Sequence, residues 1–262
     1  MSNAALAYSN MIDLTATTLT ANGSASASTP VTNLQNPHVG KKWRDNATTT
    51  FVSADFGSSK SIDTIMLAGV NGSPTSFRVR GSSASPTGGD IFDSSTISGI
   101  PYFDSNYGLF VYLLPVPLSA RFLRIDIVQS GALFTEAGRW FAGLRNTFDF
   151  NYQSWSRKIV RGSVDVVGVG GQTYVDLRPG HILMNASFAW VEETERTGFI
   201  DAISSVIRNT GHQDMLWVQN AASTNLSRDC VWGYIDGDLQ VNRTITGLTA
   251  LYGVDVPIRQ RL

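Results

Sequence analysis

The sequence predicts a mainly β protein in two parts, a β-sandwich followed by a second β-sandwich or barrel that packs one α-helix. Three observations carry that expectation. Apolar and polar residues alternate over short runs, turn residues interrupt those runs at close intervals, and only one stretch shows the period of an amphipathic helix. Composition agrees: 42% of the 262 residues are apolar and only 16% are charged, which favours strands and turns over long charged helices.

In chain order, residues 15–32, TATTLTANGSASASTPVT, read as an irregular segment with Leu19 and Val31 as its apolar anchors. The stretch DFGSSKSIDTIMLAGVNGSPTSFRVRGSS, residues 55–83, reads as two strands joined by the polar turn NGSP. The first presents Ile62, Ile65, Leu67 and Val70. The second sets Phe77 and Val79 on one face and Arg78 and Arg80 on the other, the mark of an antiparallel strand covered on one side. RFLRIDIV repeats the pattern, with Phe122, Ile125 and Ile127 taken as the apolar set against Arg121, Arg124 and Asp126. No helix of three turns is expected before residue 150, and the first domain is placed at 1–147.

The second domain, 148–262, opens with IVRGSVDVVGV and QTYVDL, two strands joined by a GVGG turn. Its helix, about 195–209, is marked by Phe199, Ile200, Ile203, Val206 and Ile207 on one stripe. Thr194 or Thr197 is the expected cap, Glu192, Glu193 and Glu195 suit the positive end of the dipole, and Gly211 stops the helix. DMLWVQN and RDCVWGYIDGDLQVNRTI add strands, with Asp236-Gly237 as a tight hairpin turn, and LTALYGVDVPIRQ supplies the last.

Charge and motif content narrow the function classes. A net charge of −1 and a pI near 6.3 give no field that would gather nucleic acid. The clusters Lys41, Lys42, Arg44 and Arg157, Lys158, Arg161 read as solvated loop charges. LFVYLLPVPL, the longest apolar run, is too short to span a bilayer, and the N-terminal stretch lacks the pattern of a signal peptide, so synthesis in the cytoplasm without membrane insertion is expected. Cys230 reads as a buried, inert thiol.

His38, His181 and His212 are scattered, and HExxH, paired CxxC, GxSxG and GxxxxGK[ST] do not occur, so neither a metal nor a cofactor is expected. GVGGQ at 168–172 lies between β-rich runs and reads as a turn. Asp90, Asp93 and Asp104 could converge as a glycosidase pair must, but loop aspartates ordinarily serve turns. The expectation is a binding or structural protein, not an enzyme.

Three stretches carry a family resemblance. NLQNPHVGKKWRD, FVSADFGSSKSIDTIMLAGVNGSPTSFRVRGS and SARFLRIDI are similar, in that order, to the N-L-x-D-G-x-x-x-T-x-W segment, the I-x-x-D-L-G strand pair and the A-R-Y-V-R-I-x-I strand of the discoidin family. This is also called the coagulation-factor type C or galactose-binding-like jelly roll. The likeness spans about residues 10–145. It implies a non-catalytic sandwich that binds glycans, lipids or proteins with loops at one end, with Trp43 and Arg124 as core and sheet-packing residues. The acid that helps hold calcium in the family is replaced by Asn36, followed by Pro37, and a neutral amide is a weaker calcium ligand.

The order of this domain and the β-rich half after it also resembles tail-tip and baseplate proteins of tailed phages and gene-transfer agents. That resemblance implies a structural virion component in the distal tail, forming a homo-oligomeric ring with other tail proteins as partners. Trp140, Phe148, Tyr152 and Trp155, with Phe141 and Phe150, are the candidate assembly surface or else an interdomain core. Tyr102, Phe103 and Tyr107 are the candidate platform for a host-surface glycan. The rival reading is a non-virion carbohydrate-binding protein.

Overall fold

Two long strands, Thr49–Val70 and Tyr107–Gln129, organise the first half of the computed structural model. The structure describes residues 3–261 except 72–73, 99–101, 105–106, 130–132, 168, 177–178, 238 and 247–248, and leaves aside the side chains of 102–104, 244–246 and 249–250. The long strands pair antiparallel over much of their length, with register breaks between Asp55 and Lys60, Ile62 and Thr64, and Ala68 and Val70. Thr49–Val70 takes Thr18–Ala21 as a neighbour near its start and Arg139–Gly143 near its end, while Tyr107–Gln129 pairs with Pro74–Ser82.

One aromatic contact shows that this sheet folds over itself. Phe77 is in register with Ile127, yet its ring stacks on Phe110 at a centroid distance of 4.0 Å. On a straight strand residues 110 and 127 would lie more than about 50 Å apart at ~3.3 Å per residue. The strands therefore bend at their register breaks, as bulged strands do, and close a two-layered sandwich. Gly57, at φ +73°, sits in the first break. Phe77 and Val79 are buried as expected, and Arg78 and Arg80 face outward. The apolar row of RFLRIDIV is corrected by one residue. Leu123, Ile125 and Ile127 are the core row, and Phe122 shares the outer face with Arg124, under the Arg121 guanidinium.

The second half is built on an antiparallel sheet in the order Asn146–Thr147, Ala5–Ala7, Asp214–Val218, Cys230–Ile235, Thr249–Gln260, His181–Val191, Ser154–Val160, with Gln240–Thr246 also on Thr249–Gln260. One face carries Trp217, Phe188, Val254 and Val256 against the helix residues Phe199, Ile200 and Ile203. The other face sets Ala5, Ala7, Leu216, Val218, Cys230 and Trp232 on Met66, Ala68, Leu109, Val111 and Phe141 of the first sandwich. The halves thus share an apolar layer, and the sheet of the second half draws in residues 5–7 and 146–147 from within 1–147.

The helix runs from Glu193–Glu195 through a π-helical turn at Arg196–Ile200 into Asp201–Thr210, and Gly211 at φ +80° ends it. Its cap is Glu192, not a threonine: Glu192 and Glu195 bond each other's backbone N–H in a capping box. Thr197 instead donates to the Glu193 carbonyl at 2.8 Å. The turn at Asp236-Gly237 does not close a hairpin, because the strands on either side of it both pair with Thr249–Gln260. The predicted strand IVRGSVDVVGV divides in two. Ser154–Val160 edges the large sheet, while Val164–Val167 pairs with Thr173–Asp176 in a separate exposed hairpin.

Candidate functional site

The structure redistributes the residues singled out from sequence. Trp140, Phe141 and Phe148 are fully buried, so they fill cores and offer no assembly surface. Large apolar side chains serve both roles, and only their depth separates them. Tyr152 is half-buried against the helix-side core, and Phe150 and Trp155 are exposed. Tyr107 is buried with its hydroxyl unpaired, and burial pushes its pKa up, so it is no platform open to solvent. The side chains of Tyr102 and Phe103 lie outside the described residues. Trp43 is buried, and Arg124 stacks on Phe51 at 3.6 Å and pairs with Asp126 at 2.7 Å.

Two of the loop aspartates, Asp90 and Asp93, hold loops, and the side chain of Asp104 lies outside the described residues. Asp90 accepts from the Ser83 hydroxyl at 2.6 Å, and hydrogen bonds from Ser82 and Ser83 bring its carboxyl down to about 2. Asp93 is held by Arg78, also at about 2. Cys230 is buried, and its pKa is pushed up by burial.

At a loop end of the sandwich the chain instead builds a hollow of ≈520 Å³, lined by Ser28, Thr29, Asn33, Gly40, Lys41, Lys42 and Glu136. Local bonds fix its shape. Trp43 donates its Nε1–H to the Gly23 carbonyl at 3.0 Å and so pins the loop to the core. Asn33 Nδ2 ties the loop across itself, donating to Ser28 O at 3.2 Å and Lys42 O at 2.8 Å. Glu136 is paired with Arg44, whose guanidinium stacks on Phe134 at 4.1 Å.

Lys42 donates from Nζ to Gly69 O at 2.6 Å. Burial lowers its pKa, partly offset by the charge of Glu136. Lys41 is exposed at the rim. The rim therefore mixes hydroxyl donors and acceptors, an ammonium and a carboxylate around one hollow. Hydroxyl groups, which donate and accept at once, suit such a lining. The local sequence signal is the segment NLQNPHVGKKWRD, which supplies Asn33, Gly40, Lys41 and Lys42 of the lining.

The calcium that the family resemblance implies does not fit here. Asn36 spends its Oδ1 on the His38 backbone N–H at 2.9 Å, in a turn. Among the described residues no group of three or more His, Cys, Asp or Glu side chains converges. Nor is any described helix long and apolar enough to cross a membrane.

No protein-family model matches the sequence, and no curated protein does. Among solved structures, the chain is similar to a family 32 carbohydrate-binding module of Clostridium perfringens in complex with galactose, at 14% identity over 52% of this chain and 98% of that one, TM-score 0.40. It is similar to a chitosan-binding module from a chitosanase/glucanase of Paenibacillus sp. IK-5, at 14% identity over 52% and 98%, TM-score 0.41. A fucosidase of Ruminococcus gnavus in complex with fucose matches at 9% identity over 53% of this chain and 27% of that chain, TM-score 0.44. Scores of this size assign neither a ligand nor a family.

Proposed function

We propose that this chain is a non-catalytic saccharide-binding protein that takes its ligand in the loop-end hollow. The observation that carries the reading is the lining of that hollow: Ser28, Thr29, Lys41 and Glu136 bring donors and acceptors to one concave surface held by the pinned loop 22–42. The volume lies within the ~300–1,000 Å³ of small-molecule sites. Binding screened on a glycan array and then measured by calorimetry tests it. Lys41→Ala and Thr29→Val are expected to weaken the best glycan at least about tenfold, the loss of one good polar contact. An array with no bound glycan, or variants that bind as well as the parent chain, would remove the proposal.

A second reading, a ring-forming structural component of a phage tail tip, is favoured by a different observation. Trp155 and Ile159 stand opposite Ala186 and Ile182, which are buried in the core, yet are themselves 45% and 68% exposed. An uncovered apolar row on an edge strand suits burial against another chain. Light scattering decides it: a monomer at all concentrations, with no rings by electron microscopy, rules this reading out.

A further inference from the structure

The charges around the loop-end hollow are unequal. Lys41 and Lys42 line it, and Glu136 is the only carboxylate among its described lining residues. Glu136 is already engaged by Arg44. The two residues stand opposite each other in the strand pair Trp43–Asp45 and Thr135–Ala137, and Arg44 donates from Nε to Glu136 Oε1 at 2.6 Å. With Arg44 and Glu136 matched, the charges of the two lysines are left over. Among the described residues neither ammonium lies in an ion pair with a carboxylate.

The two lysines are placed differently. Lys41 is exposed at the rim. Lys42 is half-buried and gives one N–H to a neutral acceptor, the Gly69 carbonyl, at 2.6 Å, which leaves two of its three donors. Burial lowers its pKa, the charge of Glu136 opposes that shift, and the charge of Arg44 adds to it. An arriving carboxylate would offset the cost of the half-buried ammonium. A bare inorganic anion fits less well, because Glu136 would repel it from the same wall. A uronic acid unit separates the two needs, with its charge at one end of the ring and its hydroxyl groups at the other. We infer that the hollow selects an acidic saccharide, with Lys41 and Lys42 meeting a uronate carboxylate and Ser28, Thr29 and Glu136 meeting ring hydroxyls. The inference rests on the reading of this hollow as a saccharide site and adds the charge of the unit it takes.

The test is a ¹H–¹⁵N titration of the full chain, following the backbone N–H groups of loop 22–42. The probes are methyl galactoside against methyl galacturonide, methyl glucoside against methyl glucuronide, and inorganic phosphate. At low salt at least one uronide should bind at least about tenfold more tightly than its neutral counterpart, since charge-assisted hydrogen bonds replace neutral ones. That ratio should shrink in about 1 M NaCl, where screening sets in within ~3 Å. Lys41→Gln should bring the ratio down to about twofold, and Lys41→Arg should keep most of it, because the charge and not the packing of an exposed side chain is what the ratio reads. A neutral pyranoside bound as tightly as its uronide would overturn the inference and leave the saccharide reading standing. Phosphate bound as tightly as the uronide, or a ratio unchanged in Lys41→Gln, would overturn it as well. If no pyranoside shifts the loop, the inference falls, and the glycan array then decides the saccharide reading by itself.

Discussion

On the strand Pro74–Ser82 of the first half, the outward row is Arg78 and Arg80, held by Asp93 and, at 2.7 Å, by Asp126. On Ser154–Val160 of the second half, the row facing the core side is Trp155 and Ile159, and both stay exposed, at 45% and 68%. The adjoining hairpin is as bare, with Val166, Val167 and Tyr174 exposed. Both rows sit on antiparallel sheets, and the difference lies in what the neighbouring strand supplies. On this strand the first half finishes its surface with matched charges, whereas one edge of the second leaves apolar side chains exposed. A lone two-stranded hairpin is marginal in water, which strengthens that contrast.

The deepest residues should break the molecule most. Trp140→Ala is expected to cost about 3–5 kcal/mol, because it empties a filled core position. Denaturant titration measures it, and a loss below about 1 kcal/mol would show the side chain to be less enclosed than described. Met66→Ala, in the layer shared by both halves, should cost about 2–5 kcal/mol and still leave one cooperative transition. Two transitions, one unshifted, would mean that the halves unfold separately. Glu195→Ala removes the reciprocal cap and the acceptor of the Asp149 N–H at 2.8 Å, and should cost about 0.5–2 kcal/mol.

Surface changes should be smaller. Trp155→Ser is expected to stay within about 0.5 kcal/mol in the monomer while lowering any self-association seen by light scattering. The exposed ion pairs respond to acid. Asp93 is held down to about 2 by Arg78, from an ordinary value of 3.8. A carboxylate with a lowered folded pKa stabilises above its unfolded value and loses that contribution as the pH falls through the folded one. The melting temperature should therefore drop between about pH 4 and pH 2, and less steeply in Asp93→Asn. The contribution is small because Arg78 is exposed.

What the sequence made legible was local. Phe77 and Val79, the stripe through Ile203, and Gly211 each announce themselves within a few residues, because strand and helix periods are short-range signals. The seam was hidden for the opposite reason. Ala5–Ala7 has no β-branched residue, and its partners are residues 146–147 and 216–218. Trp140 and Trp155 look alike in a sequence, and only the layers over them make one core and the other surface. The loop-end hollow needed Glu136 to come beside Ser28 and Lys41, which no spacing rule foretells.

The proposed function is saccharide binding at the loop end of the first sandwich. Calorimetric titration of the best array glycan into the parent chain and into Lys41→Ala is the decisive experiment. The expected result is saturable heat whose affinity falls at least about tenfold in the variant, with the melting temperature unchanged. Equal affinity in the two proteins, or no heat with any array glycan, would contradict it.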